Sequence, residues 1–217
     1  MTQLKLTESD KIIFFKTMHG DIDLEEFEKW IYENTDLEKI IPPNTYLDLI
    51  ELNYKKSGVK YELFKKLEAI VSLGDYQKWK LLTILDKALL KDESFPHLMM
   101  EFYDLYCDGY YFLNDLGLGY GLTFTVPPSK YQADSWKELR PDQKSECIDE
   151  LFPKIEKEVL KVKDWIAKGK IVLTSVKDEL NRYRYEDFRT DLEKKSEVWM
   201  PVIDSSHKKK KWWKFWN

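Results

Sequence analysis

Apolar residues recur along most of this chain at helical spacing. Leu24, Phe27, Trp30 and Ile31 fall at i, i+3, i+6 and i+7, one face of a helix that Asp23 caps and that runs to about Asn34. Residues 8–18 predict a helix before it, with Gly20 as its stop. Thr35 with Glu38 three residues on is the pattern of a capping box, and Pro42 and Pro43 end that short turn. Residues 44–54 predict a further short helix. Beyond Gly58, Leu63, Phe64, Leu67, Ile70 and Val71 form a stripe that Gly74 ends. Asp75 then caps a helix with Trp79, Leu82, Leu85 and Leu89 on one face, and the pair reads as a helix hairpin. Ser94 and Pro96 open a helix through Leu98, Phe102, Leu105 and Tyr106, with Gly109 inside or at its end. Pro141 starts another, with Ile148, Leu151 and Phe152 inside. Pro153 reads as the first residue of a new helix, whose buried face is Ile155, Val159, Val162 and Ile166 and which Gly169 ends.

The helical period fails in two places. The segment NDLGLGYGLTFTVPP (114–128) reads as an irregular loop, its glycines supplying positive φ, followed by a short alternating, β-like run. Past Gly169 the period shortens: KIVLT (170–174) predicts a strand, with RYRY (182–185) and VWMPV (198–202) as weaker ones. The fold class that follows is mainly α: a multi-helical single domain over residues 1–206, with a small β element near residues 170–202. A subdivision is conceivable near 90–95, and residues 207–217 form a separate tail. No internal repeat of solenoid period is present.

Composition agrees with a packed, helical body. Of 217 residues 43% are hydrophobic and 15% aromatic, enough apolar surface to offset the entropy of ordering. Eight glycines and eight prolines are few for a turn-rich β-sandwich. Cys107 and Cys147 show neither metal-ligand spacing nor a CxxC pair, which suits buried thiols in a reducing compartment. The opening MTQLKLTESDK has no basic segment leading into an apolar run, and no stretch approaches the ~20 apolar residues of a membrane span. The expectation is a cytoplasmic protein. Its charge is uneven: residues 208–217 hold five lysines and no acid, so the net −4 divides into −9 on the body and +5 on the tail. Such a body repels nucleic acid, so no nucleic-acid partner is expected, and it favours a basic protein.

Motifs for catalysis are missing. His19, His97 and His207 lie outside any zinc-binding pattern, and there is no GxSxG and no Walker loop. GLGYG (117–121) follows an aromatic helix and precedes a strand-like run, the wrong order for a phosphate-binding turn. Asp104 and Asp108, at i and i+4, with Asp115 beyond them, lack the surrounding loop of a calcium site. The expectation is no catalytic residue, no metal and no cofactor. In RYRYEDFRTDLEKK (182–195) an anion site from Arg182, Arg184 and Arg189 competes with internal pairing to Glu186, Asp187 and Asp191, and pairing is favoured.

Two stretches look built for contact. FYDLYCDGYYFLNDLGLGYG (102–121) packs five tyrosines, three acids and four glycines into twenty residues. One helix face cannot hide all five rings, so Tyr103, Asp104, Tyr106, Asp108, Tyr110, Tyr111 and Asp115 form a candidate surface for a protein partner. Its rival is a tyrosine-rich core edge with satisfied hydroxyls. The second stretch is the tail: Lys208, Lys209, Lys210, Lys211, Trp212, Trp213, Lys214, Phe215 and Trp216. Tryptophan favours the headgroup level of a bilayer and each lysine near an anionic surface adds ~1 kcal/mol, so these residues are the candidate contact with a membrane surface. Packing on the body is the alternative.

Three further stretches, FEKWIYENTDLEKII (27–41) with YLDLIELNYK (46–55), YDLYCDGYYFLNDLGLGYGL (103–122), and WIAKGKIVLT with YEDFRTDLEKK (165–195), together resemble a bacterial family of unknown function. That family is associated with the immunity partners of polymorphic or contact-dependent toxins. The resemblance implies a cytosolic inhibitor that masks a basic toxin domain. It implies no catalytic residue and does not extend to the tail.

Overall fold

Thr7 sets the first helix with a reciprocal cap. Its hydroxyl accepts the Asp10 amide at 3.1 Å, and its own amide donates to the Asp10 carboxylate at 3.1 Å. The computed structural model describes residues 6–196. In that span α1 (Glu8–His19) ends at Gly20, whose φ of 92° belongs to glycine. Asp23 caps α2 (Leu24–Glu33) by accepting the Glu26 amide at 2.8 Å. There follow α3 (Pro43–Ile50), α4 (Val59–Glu68), α5 (Leu73–Leu89) and α6 (Phe95–Cys107). A π-helix (Asp115–Gly121) runs into the short α7 (Leu122–Thr125), and α8 (Pro141–Ala167) precedes a hairpin of β1 (Ile171–Lys177) and β2 (Tyr183–Asp187). The fold is mainly α with a small antiparallel sheet. VWMPV (198–202) lies outside the described residues.

Four local expectations are corrected. Thr35 opens a 3-10 turn (Thr35–Lys39) with no side-chain cap, and Nδ2 of Asn34 before it donates instead to Asp10 Oδ1 at 3.2 Å. Gly74 terminates nothing. The cap of α5 is Ser72 and not Asp75, three residues earlier than expected; Ser72 accepts the Asp75 amide at 3.2 Å, and Gly74 lies in the first turn of α5 under β1. A Cβ there would stand 2.6 Å from the Leu173 carbonyl oxygen, so the hairpin rests directly on backbone. Pro153 starts no helix but sits inside the 27 residues of α8, leaving the Asp149 carbonyl without an i+4 amide.

The glycine-rich stretch is helical too. Gly117 and Gly121 are there for close approach and not for positive φ. A Cβ on Gly117 would meet the Phe102 carbonyl oxygen at 2.6 Å, and one on Gly121 the Met99 carbonyl oxygen at 2.5 Å. The π-helix thereby seats backbone to backbone on α6, and the β-like run becomes α7, burying Phe124 against Phe95 and Trp136.

Side chains collect in two clusters that meet on α5. The first joins α1–α4 to the start of α5, with Phe14, Phe27, Ile31, Leu37, Leu49 and Leu67 at its centre. The second joins the rest of α5 to α6, the π-helix, α7, α8 and β1, around Phe95, Met99, Phe102, Leu113, Ile155 and Val159. Tyr76 belongs to the first and Leu81 to the second. The turn at 90–94 is exposed, but the residues on either side of it, Ala88 and Phe95, both belong to the second cluster.

In the hairpin Ile171 faces Asp187, Val172 faces Glu186 and Leu173 faces Tyr185. The register then slips, so that Lys177 pairs with Tyr183. Ile171 and Leu173 point into the second cluster with Tyr183 and Tyr185 against it, while Val172 and Val176 face outward.

Candidate functional site

The tyrosine-rich block ends up at one corner, where α6, the π-helix and the hairpin converge. α6 is apolar on its inner face, through Phe95, Leu98, Met99 and Phe102, which turns Asp104 and Asp108 outward one turn apart. Gly109 stops the helix with φ 111°, and the Tyr110 amide returns to the Leu105 carbonyl at 3.0 Å. This reversal separates two adjacent tyrosines.

Tyr110 drops into the core and is 2% exposed, between Phe112, Tyr183 and Tyr185. Its hydroxyl has no hydrogen-bond partner among the described residues, and burial pushes its pKa well above the usual tyrosine value. Tyr111 stays 49% exposed. Its ring meets Tyr106 edge-on at 5.6 Å, and its hydroxyl accepts from Arg182 Nη1 at 2.7 Å.

Arg182 is fixed from behind. Its Nε donates to Asp178 Oδ2 at 2.8 Å, while Asp178 Oδ1 accepts the amides of Leu180 and Arg182, each at 2.9 Å. The Arg182 amide, its guanidinium and the Leu180 amide outweigh burial and hold the Asp178 carboxyl below the usual range. The same turn carries Leu180, 71% exposed. The corner therefore presents Asp104, Asp108, Tyr111 and Leu180 together with half-buried Tyr103 and Tyr106. Neither Asp104 nor Asp108 has an ion-pair partner among the described residues. Elsewhere Asp149 pairs with Lys91 at 2.6 Å and Glu150 with Lys130 at 2.7 Å.

Two members of the expected surface are removed from it. Tyr110 is lost to the core by the turn at Gly109. Asp115 is 9% exposed because the π-helix points it at α8. There it joins a cluster that the spacing of the sequence did not disclose. Asp115 Oδ1 accepts from Asn114 Nδ2 at 3.2 Å and Ser196 Oγ at 2.5 Å, and Oδ2 lies 3.6 Å from Lys161 Nζ. Lys161 also holds Glu158, 3% exposed, at 2.6 Å. Two cations also approach the ring of Trp165, Lys161 Nζ at 5.3 Å and the Arg189 guanidinium at 4.4 Å from its centre. Arg189 grips Asp187 through Nε at 3.0 Å and Nη2 at 2.9 Å. Glu158 was the available signal, since it sits on the apolar stripe of α8 beside Ile155, Val159 and Val162, where a carboxylate needs a partner.

The adjoining cavity, lined by Asn114, Asp115, Glu158 and Ser196, holds about 30 Å³, the scale of one water molecule. With its carboxylates engaged by lysine, amide and hydroxyl groups, the cluster ties residues 188–196 to the π-helix and α8. Among the described residues no group of three or more His, Cys, Asp or Glu side chains is arranged to hold a metal ion. None of the described helices is long and apolar enough to cross a membrane. Arg189 is bound to Asp187, the internal pairing favoured over an anion site, whereas Arg182 pairs with Asp178, an acid outside the stretch that was expected to pair internally. The tail residues Lys208, Lys209, Lys210, Lys211, Trp212, Trp213, Lys214, Phe215 and Trp216 lie outside the described residues.

Comparison of the chain with protein-family models, with curated proteins and with solved structures finds no match.

Proposed function

We propose that this chain is a protein-binding module that receives a basic partner at the α6 corner. One observation carries the reading: two outward carboxylates, Asp104 and Asp108, without ion-pair partners among the described residues, beside an exposed tyrosine held by Arg182. A carboxylate already bridged to lysine offers a partner little. An unbridged pair on an acidic body speeds encounter with a basic surface. Tyr111 and Leu180 supply the apolar contact that slows release, and Tyr111 is positioned before any partner arrives, which lowers the ordering cost.

The resemblance to toxin-immunity proteins gives the partner class: a basic toxin domain, masked in the cytoplasm. The test is co-purification with a basic toxin domain, using the intact chain and an Asp104→Lys, Asp108→Lys, Tyr111→Ala variant. All three positions face outward, so the variant should keep its circular dichroism spectrum. Affinity should fall about tenfold or more. Unchanged affinity in a folded variant would rule the corner out.

A further inference from the structure

We infer that the cleft between α1, α2 and α4 is a docking site for a basic, aromatic segment, and that its occupant is the chain's own residues 207–217. The cleft lies on the first cluster and shares nothing with the α6 corner. Its volume is about 470 Å³, within the range of pockets that enclose a ligand. Its floor is apolar: Met18, Ile22 and Leu24 from the α1–α2 junction, Leu63, Phe64 and Leu67 from α4.

Its rim is acidic on one side. Residues 21–28 hold Asp21, Asp23, Glu25, Glu26 and Glu28 and no basic residue, and Asp23 and Glu25 line the cleft itself. Lys60 is the cation of the opposite wall. Such a site asks for flat apolar groups flanked by positive charge, and an anionic or purely aliphatic ligand meets the wrong rim.

Residues 208–216 offer that chemistry in nine positions: five lysines interleaved with Trp212, Trp213, Phe215 and Trp216. Reach is sufficient. Trp212 lies sixteen residue steps beyond Ser196, which is anchored on Asp115, a span of up to ~53 Å when extended. A globule of this size is about 40 Å across. Tethering also raises the local concentration of the segment to the millimolar range, so a weak intrinsic contact suffices. The tryptophans enter the floor, the lysines meet Asp21, Asp23 and Glu25, and the tail is withheld from other anionic surfaces while docked.

The test uses the full-length chain labelled with 5-fluorotryptophan, its signals assigned by Trp→Phe substitution. A nitroxide is placed on the rim through Lys60→Cys in a Cys107→Ser background. Docking is expected to broaden the fluorine signals of Trp212, Trp213 and Trp216 severely. An Asp21→Lys, Glu25→Lys variant, altered only at exposed positions, should restore them, as should high salt. Tail signals that ignore the nitroxide overturn the inference, as does broadening that survives the charge reversal. A tail that ignores the nitroxide yet binds phosphatidylglycerol vesicles assigns the segment to the membrane instead. None of these readouts depends on the α6 corner, so either proposal can fail alone.

Discussion

Gly121 of the π-helix lies so near the Met99 carbonyl of α6 that a Cβ on it would stand 2.5 Å from the oxygen. Leu116 and Tyr103 close the remaining sides at 3.1 and 3.2 Å, so neither helix can yield locally. Gly121→Ala is therefore expected to destabilise the protein by about 1–3 kcal/mol, the usual range for forced overpacking. Gly117→Ala, facing Phe102 and Tyr106, should do the same. Midpoints of urea unfolding check both. An alanine that leaves the midpoint unmoved would mean that the two helices are not seated on glycine.

The opposite sign is expected at Pro153. It occupies an interior position of α8, is exposed, and deprives the Asp149 carbonyl of its helical amide. Pro153→Ala should raise stability, by up to about 3 kcal/mol if Phe152 keeps its place on Phe95. Thermal unfolding measures it, and a lower melting temperature would show that Pro153 is needed for the packing of α8.

Acid should loosen the segment after β2. The Lys170 ammonium, with the Thr190 amide and hydroxyl, outweighs burial and lowers the Glu193 carboxyl from 4.5 to about 2. A carboxyl whose folded value is depressed contributes stability that is fully present above its unfolded value. That contribution is lost as pH falls through the folded one. For Glu193 the window runs from about pH 4.5 down to about 2. Asp187 adds to the same trend. Burial opposes its ionisation, but the side chain and amide of Arg189 prevail and hold it below the usual value. Stability measured across this window should fall in the native protein and fall less steeply in Lys170→Met. Equal slopes would show that the Lys170–Glu193 pair does not couple to folding.

The two cysteines should separate by reactivity. Cys107, expected to be buried, is exposed at the end of α6, whereas Cys147 is on the buried face of α8 and desolvation pushes its thiol from 9.0 up to about 11. A thiol reagent at mildly alkaline pH should modify Cys107 at once and Cys147 only on unfolding. Cys107→Ser should abolish the fast phase. Rapid modification of two thiols in the folded protein would contradict the burial of Cys147.

The helices were legible because their apolar stripes and caps are local: Asp23, Gly20, Pro96 and the stripe Ile155, Val159, Val162 and Ile166 each act within a few residues. The strand expected at 170–174 was legible for the same reason, as a change of period beyond Gly169, although β1 runs on to Lys177. What stayed hidden depends on partners distant in the chain. Gly74 is indistinguishable from a helix stop until Leu173, 99 positions later, is laid over it. Gly117 and Gly121 look like turn residues until α6 is placed against them. The site was half legible. Asp104, Asp108 and Tyr111 face outward as the composition of the block suggested. Tyr110 and Asp115 were misplaced because one left-handed residue and one π-helix rotate them inward.

The first turn of α5 closes one cluster and the rest of its length walls the other, so neither half of the molecule owns the helix. Melting either side would strip support from a rod that the other side needs. The joint carries no hinge of its own, because Tyr76 and Leu81 ride on the same rigid stretch of helix. A strain applied at the α1–α4 end thus reaches the hairpin without crossing a loop, by way of the turn where Gly74 bears on Leu173.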